Sequence, residues 1–74
     1  SGKTSFSVVP GTKAYTMLLN VEPGNAVKFN QYDKKGKLLA STDVNNSFFT
    51  AELNKKAAKA EIEGNVEVFE VIAK

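Results

Sequence analysis

Val27-Lys28-Phe29-Asn30-Gln31-Tyr32-Asp33-Lys34-Lys35-Gly36-Lys37-Leu38-Leu39 reads as a strand, a tight turn and the start of a second strand. Val27 and Phe29 share one face, and Tyr32 switches to the other. Asp33-Lys34-Lys35-Gly36 has the chemistry of a type I turn with a bulge, with Gly36 in the left-handed position. Asp43 to Ser47 is a second polar turn. Beyond it Phe49, Ala51 and Leu53 alternate along a further strand.

The same grammar extends outward in both directions. Pro10-Gly11 and Pro23-Gly24 each suit a type II turn, because proline presets φ at the first central position and glycine takes positive φ at the second. Gly64-Asn65 reads as a two-residue hairpin of the II′ kind. Between turns, apolar residues recur with period two. They are Phe6 and Val8, then Tyr15, Met17, Leu19 and Val21. Leu38 and Ala40, Ala58 to Ile62, and Val66 with Val68 continue the pattern. Such alternation marks strands with one buried face. Phe69 and Val71 break the phase, which predicts a bulge or a strand buried on both faces. Ala51 to Glu61 is rich in helix-forming alanine, lysine and glutamate. Its reading here is strand, turn at Asn54-Lys55-Lys56, strand, with a short helix as the alternative.

Seven short strands with regular turn punctuation predict an all-β fold, a small seven-stranded immunoglobulin-like sandwich. A single domain is expected over 4–74. Residues 1–3 are expected as a protease-cleavage scar or a disordered start.

Composition narrows the chemistry. The 74 residues are 42% hydrophobic, enough for a core, but a domain of this size buries only about 60% of its unfolded surface. Cysteine and histidine are absent, which removes disulfides and the nitrogen and sulfur ligands that zinc prefers. No cofactor is expected. All ten basic residues are lysine, against eight acids, for a net charge of +2. Arginine, the usual residue for bidentate contacts to phosphate or guanine, is absent, so nucleic acid is not an expected partner, though lysine can still contact a backbone. Lys34/Lys35 and Lys55/Lys56 read as solvated loop charge. No apolar run approaches the roughly 20 residues of a membrane-spanning helix, and no membrane insertion is expected.

Motifs that suggest chemistry fall short of it. Gly2-Lys3-Thr4 lacks the leading glycine of a phosphate-binding loop. Asp43-x-Asn45 lacks the central glycine and distal glutamate of a calcium loop. Asn45-Asn46-Ser47 matches a glycosylation pattern as a chance occurrence. Glu61, Glu63, Glu67 and Glu70 flank the last expected hairpin, and two of them could reach glycosidase spacing across it. A sandwich this small offers no deep cleft to desolvate them, so the chain is expected to be non-catalytic. Tyr15, Tyr32 and Phe48 are the candidate partner contacts, as flat apolar rings suited to sugars or protein surfaces. Val66 to Ile72, hydrophobic and free of proline, is the candidate for strand addition by a partner.

Residues 27–53 run strand, Asp-x-x-Gly turn, strand, Thr-Asp-x-Asn turn, and an aromatic strand ending in leucine. That order resembles the prealbumin-like sandwich modules, the carboxypeptidase-regulatory and collagen-adhesin B-type domains. The chain departs from them at Asn46 and Ser47, where the family has glycine. It departs again at Asn54-Lys55-Lys56-Ala57, where the family has Gly-x-Tyr. Some members carry an intramolecular Lys–Asn bond. Lys3 and Asn65 are the nearest equivalents, but Asn65 falls in an expected turn and the chemistry does not carry over. The resemblance implies an extracellular or cell-surface module that works as a spacer, adhesion or accessory domain. Its partners would be other domains of the parent protein, another protein or a glycan. Two rival readings remain. Pro23 to Phe29 also suits an SH3-like or OB-type barrel binding single-stranded nucleic acid. A carbohydrate-binding accessory module would need at least two coplanar aromatics.

Overall fold

The computed structural model describes residues 2–74. Seven strands form: β1 (Gly2–Ser7), β2 (Ala14–Asn20), β3 (Lys28–Tyr32), β4 (Leu38–Asp43), β5 (Phe48–Glu52), β6 (Lys59–Gly64) and β7 (Glu67–Ala73). They make two antiparallel sheets, β1-β6-β3-β4 and β5-β2-β7. The fold is a small β-sandwich, and the barrel expected as a rival is overturned because the sheets stay separate. Strand pairing starts at Gly2, opposite Gly64, and Lys3 lies opposite Glu63. Ser1 lies outside the described residues.

The core forms where the inward faces meet. Met17, Leu19, Phe29, Ala60 and Ile62 are fully buried, joined by Tyr15, Val27, Val44 and Ala51. Phe6 stands edge-on to Tyr15, with ring centroids 5.2 Å apart. This T-shaped geometry suits the ring quadrupoles and ties the outermost strand of one sheet to the central strand of the other. Gln31 also points inward. Its side chain donates to the Glu52 carbonyl at 3.1 Å and accepts from the Asn54 N–H at 2.8 Å, which satisfies a polar group inside the core.

The turns follow their residues. Thr12 N–H closes on Val9 O and Asn25 N–H on Glu22 O, with Gly11 and Gly24 at positive φ. Gly36 N–H closes on Asp33 O, and Asp33 N–H on Lys37 O, as the hairpin reading requires. The segment 51–61 contains no helix: Ala57 N–H bonds Asn54 O, and Lys56 N–H bonds the Asn54 side chain. Phe69 is the extra residue of a bulge in β7, since Leu18 faces Glu70 while Leu19 faces Val68.

Gly64-Asn65 is the main correction. It does not close a hairpin, because β6 belongs to the four-stranded sheet and β7 to the other. The chain crosses between sheets there, as it does at every connection except β3–β4. Crossing forces the backbone close to the Ala26-Val27 segment: a Cβ on Gly64 would stand 2.6 Å from Ala26 O. Glycine is present for close approach and for its φ of 144°.

Candidate functional site

The outer face of the four-stranded sheet gathers most of the side chain–side chain hydrogen bonds found among the described residues. Alternation places Asn30 and Tyr32 of β3 beside Glu61 and Glu63 of β6, while Ser41 of β4 flanks Asn30. The Asn30 amide donates to Glu61 Oε1 at 3.0 Å and to Glu63 Oε1 at 2.9 Å. Tyr32 O–H donates to the same Glu61 oxygen at 2.9 Å, and Ser41 O–H donates to Asn30 Oδ1 at 2.6 Å. Lys59 sits over the Tyr32 ring, 4.8 Å from its centroid. The cluster braces three adjacent strands. Glu61 and Glu63 share a face as the sequence indicates, yet Glu61 is only 7% exposed, not solvated, because its neighbours cover it. With β6 and β7 in different sheets, the carboxylates do not face one another across a hairpin.

Charge shifts in and around this cluster have local causes. Donation from Asn30, then from Tyr32, holds the Glu61 carboxyl below its ordinary range against the opposing effect of burial; Lys3 and Lys59 add to the lowering. Tyr32 is raised, chiefly by its bond to Glu61. Lys28 is raised by its bond and ion pair with Asp43 at 2.8 Å. Asp33 is lowered by backbone N–H donors, Lys37 first. Each shift carries its group further from neutrality. A general acid or base works best with a pKa near the operating pH, so these four groups are poorly suited to proton transfer.

The three aromatic candidates do not converge. Tyr15 is 4% exposed and packs in the core, which removes it as a partner contact: its early position in a central strand faces inward. Tyr32 lies on the outer face of one sheet with Lys59 over its ring. Phe48 is 69% exposed on the outer face of the other sheet, opposite Leu18. Tyr32 and Phe48 therefore lie on opposite sides of the sandwich and form no common platform. Sequence reasoning missed Asn30 as the hub, although its alternation with Phe29 and Gln31 marks it as the outward residue of a central strand.

Among the described residues β7 pairs only with β2, so it is an edge strand of its sheet. Phe69, Val71 and Ile72 are exposed along it. Among the described residues, no cluster of three or more carboxylate, histidine or cysteine side chains is placed to hold a metal ion. No helix among them is long and apolar enough to cross a membrane. No family model matches the chain, and comparisons with curated proteins and with solved structures return no match.

Proposed function

We propose that the chain is a non-catalytic sandwich module of a larger surface or secreted protein, of prealbumin-like type, serving as a spacer that holds other domains apart. The observation that carries this reading is the path of the chain. β1 starts at the end of the sandwich where Gly2 faces Gly64, and β7 finishes at the opposite end, where Ala73 faces Tyr15. A module with this path extends a chain of domains instead of folding it back. β1 is held by the β6 ladder and β7 by the β2 ladder, in different sheets. Tension between the two ends acts along both ladders, so their hydrogen bonds share it. The shifts of Glu61, Tyr32, Lys28 and Asp33 away from neutrality support a non-catalytic role.

Single-molecule stretching of a tandem array tests this. Each domain should unfold in one event and release roughly 230 Å of chain, at about 3.5 Å per residue less the folded span. Attachment at Gly2 and Lys74 should require higher force than attachment through Lys35→Cys and Lys74→Cys, which lie at the same end. Equal or lower force for the end-to-end geometry would remove the basis of the spacer reading.

A further inference from the structure

Successive connections alternate between the two ends of this antiparallel sandwich, and lysine follows the odd ones. The first connection brings Lys13, the third Lys34, Lys35 and Lys37, and the fifth Lys55 and Lys56. Lys59 opens β6 and Lys74 follows β7 at that same end. Eight of the ten lysines therefore share one end with two of the eight acids, Asp33 and Glu52. That end has an excess of six positive charges, while the rest of the molecule, with two lysines and six acids, has an excess of four negative charges. Asp33 is turned onto its own loop, accepting the N–H groups of Lys35 at 2.9 Å and Lys37 at 2.8 Å. The ion pair found among the described residues, Lys28–Asp43, lies at the opposite end. The eight lysines are exposed, and among the described residues none has a carboxylate partner within 4.0 Å.

Two grooves open at this end and share the 53–58 loop as a wall. One is lined by Val8, Pro10, Leu53 and Ala57 together with Lys13, Lys55 and a single carboxylate, Glu52. The other is lined by Lys34, Lys35 and Lys56 with Ala58 and the loop-bound Asp33. Like charges crowded in this way repel one another in the free protein, a cost that a bound polyanion relieves.

We propose that this end is a docking surface for an acidic polysaccharide, its carboxylate or sulfate groups meeting the lysines and its sugar rings lying on the apolar wall of the first groove. An extended polymer can pass over the 53–58 loop from one groove to the other. Flexible ammonium point charges suit irregularly spaced anions. Single-stranded nucleic acid fits less well, because base stacking needs open aromatic faces. Tyr32, at the end of β3 beside this surface, has Lys59 over its ring, and Phe48 starts β5 at the far end. The assignment is independent of the spacer reading.

Amide NMR titration with dextran sulfate at low salt, with neutral dextran, an oligothymidylate and phosphatidylserine vesicles in parallel, tests it. Dextran sulfate should shift residues of the 8–13, 33–37 and 53–58 loops, and neutral dextran should not. Raising salt threefold should weaken binding about tenfold or more, as counterion release requires. Lys35→Glu with Lys56→Glu should weaken it about tenfold or more, and Lys28→Glu, at the other end, by less than about twofold. Unchanged core resonances would show that the variants remain folded. The proposal is overturned if shifts map elsewhere or Lys28→Glu matters equally. It is also overturned if neutral dextran binds as well, if the oligothymidylate binds more tightly, or if only vesicles bind.

Discussion

Replacing Gly64 by alanine tests the crossover directly. Gly64 has a φ of 144°, a region that side chains rarely occupy, and holding alanine there costs about 1–3 kcal/mol. The new Cβ would also meet Ala26 O at 2.6 Å and Val27 Cα at 3.2 Å. These are backbone atoms, so relief requires the 26–27 segment to move, and forced overpacking of this kind costs about 1–3 kcal/mol more. The total is roughly 4 kcal/mol, against about 4–11 kcal/mol expected for a domain of this length. Gly36→Ala is the matched control. Gly36 has a φ of 86° with nothing within 4 Å of a built Cβ, so only the left-handed backbone penalty of about 1–2 kcal/mol applies. Urea unfolding of both variants measures the difference. Gly64→Ala should be the less stable by about 2 kcal/mol or more. Equal midpoints would mean that the chain does not cross between sheets against Ala26, and a hairpin at Gly64-Asn65 would return as the better description.

Two further outcomes follow from burial and charge. The folded pKa of Glu61 is lowered, so its stabilisation is present above the ordinary carboxylate range and is lost as pH falls through the folded value; Glu61→Gln should therefore destabilise at about pH 7 and approach the parent's stability in strong acid, and an equal loss at both pH values in urea unfolding would contradict this. Phe48→Ser should change stability by no more than about 0.5 kcal/mol, whereas Tyr15→Ala should cost about 3–5 kcal/mol, since one ring is solvated and the other stands edge-on to Phe6 inside the core; calorimetric melting of the two variants would reverse that order if the aromatic assignments were exchanged.

Local turn chemistry was legible because each turn depends on its own few residues. Pro10-Gly11, Pro23-Gly24 and the Asp33–Gly36 loop all form as read, and the phase break after Val68 marks the Phe69 bulge. Strand partnership was not legible in the same way. Gly64-Asn65 has the composition of a hairpin turn, but β6 satisfies its backbone with β1 and β3, and β7 goes to β2. A glycine at positive φ suits a crossing as well as a hairpin, and the contact that distinguishes them comes from Ala26, far away in sequence. The surroundings of the candidate residues were hard to read for a related reason. Period two assigns Tyr15 to a face but does not say which sheet covers that face. Asn30 gains its importance only when Glu61 and Glu63 are brought alongside from the sixth strand.

Charge distribution was the opposite case: the information was present in chain order, and a net charge of +2 conceals it. In a sandwich whose paired strands are all antiparallel and whose connections alternate between ends, the parity of a connection decides which end its side chains occupy. Among loop residues, those joining β1 to β2, β3 to β4 and β5 to β6 carry Lys13, Lys34, Lys35, Lys37, Lys55 and Lys56. Those joining β2 to β3, β4 to β5 and β6 to β7 carry no lysine and one acid, Glu22. Read separately, Lys34/Lys35 and Lys55/Lys56 look like ordinary solvated pairs. Their meaning changes once they share a surface, because exposed charges within a Debye length of about 10 Å at moderate salt act together, and more distant ones are screened. A polyanion responds to that local excess, and the balancing acids at the other end do little to reduce it. Moving Lys34 and Lys35 into the 44–47 connection would keep composition, net charge and sheet pairing the same while dividing the basic end in two. The polysaccharide-docking proposal requires binding to weaken under that rearrangement, whereas an attraction set by net charge would leave it unchanged.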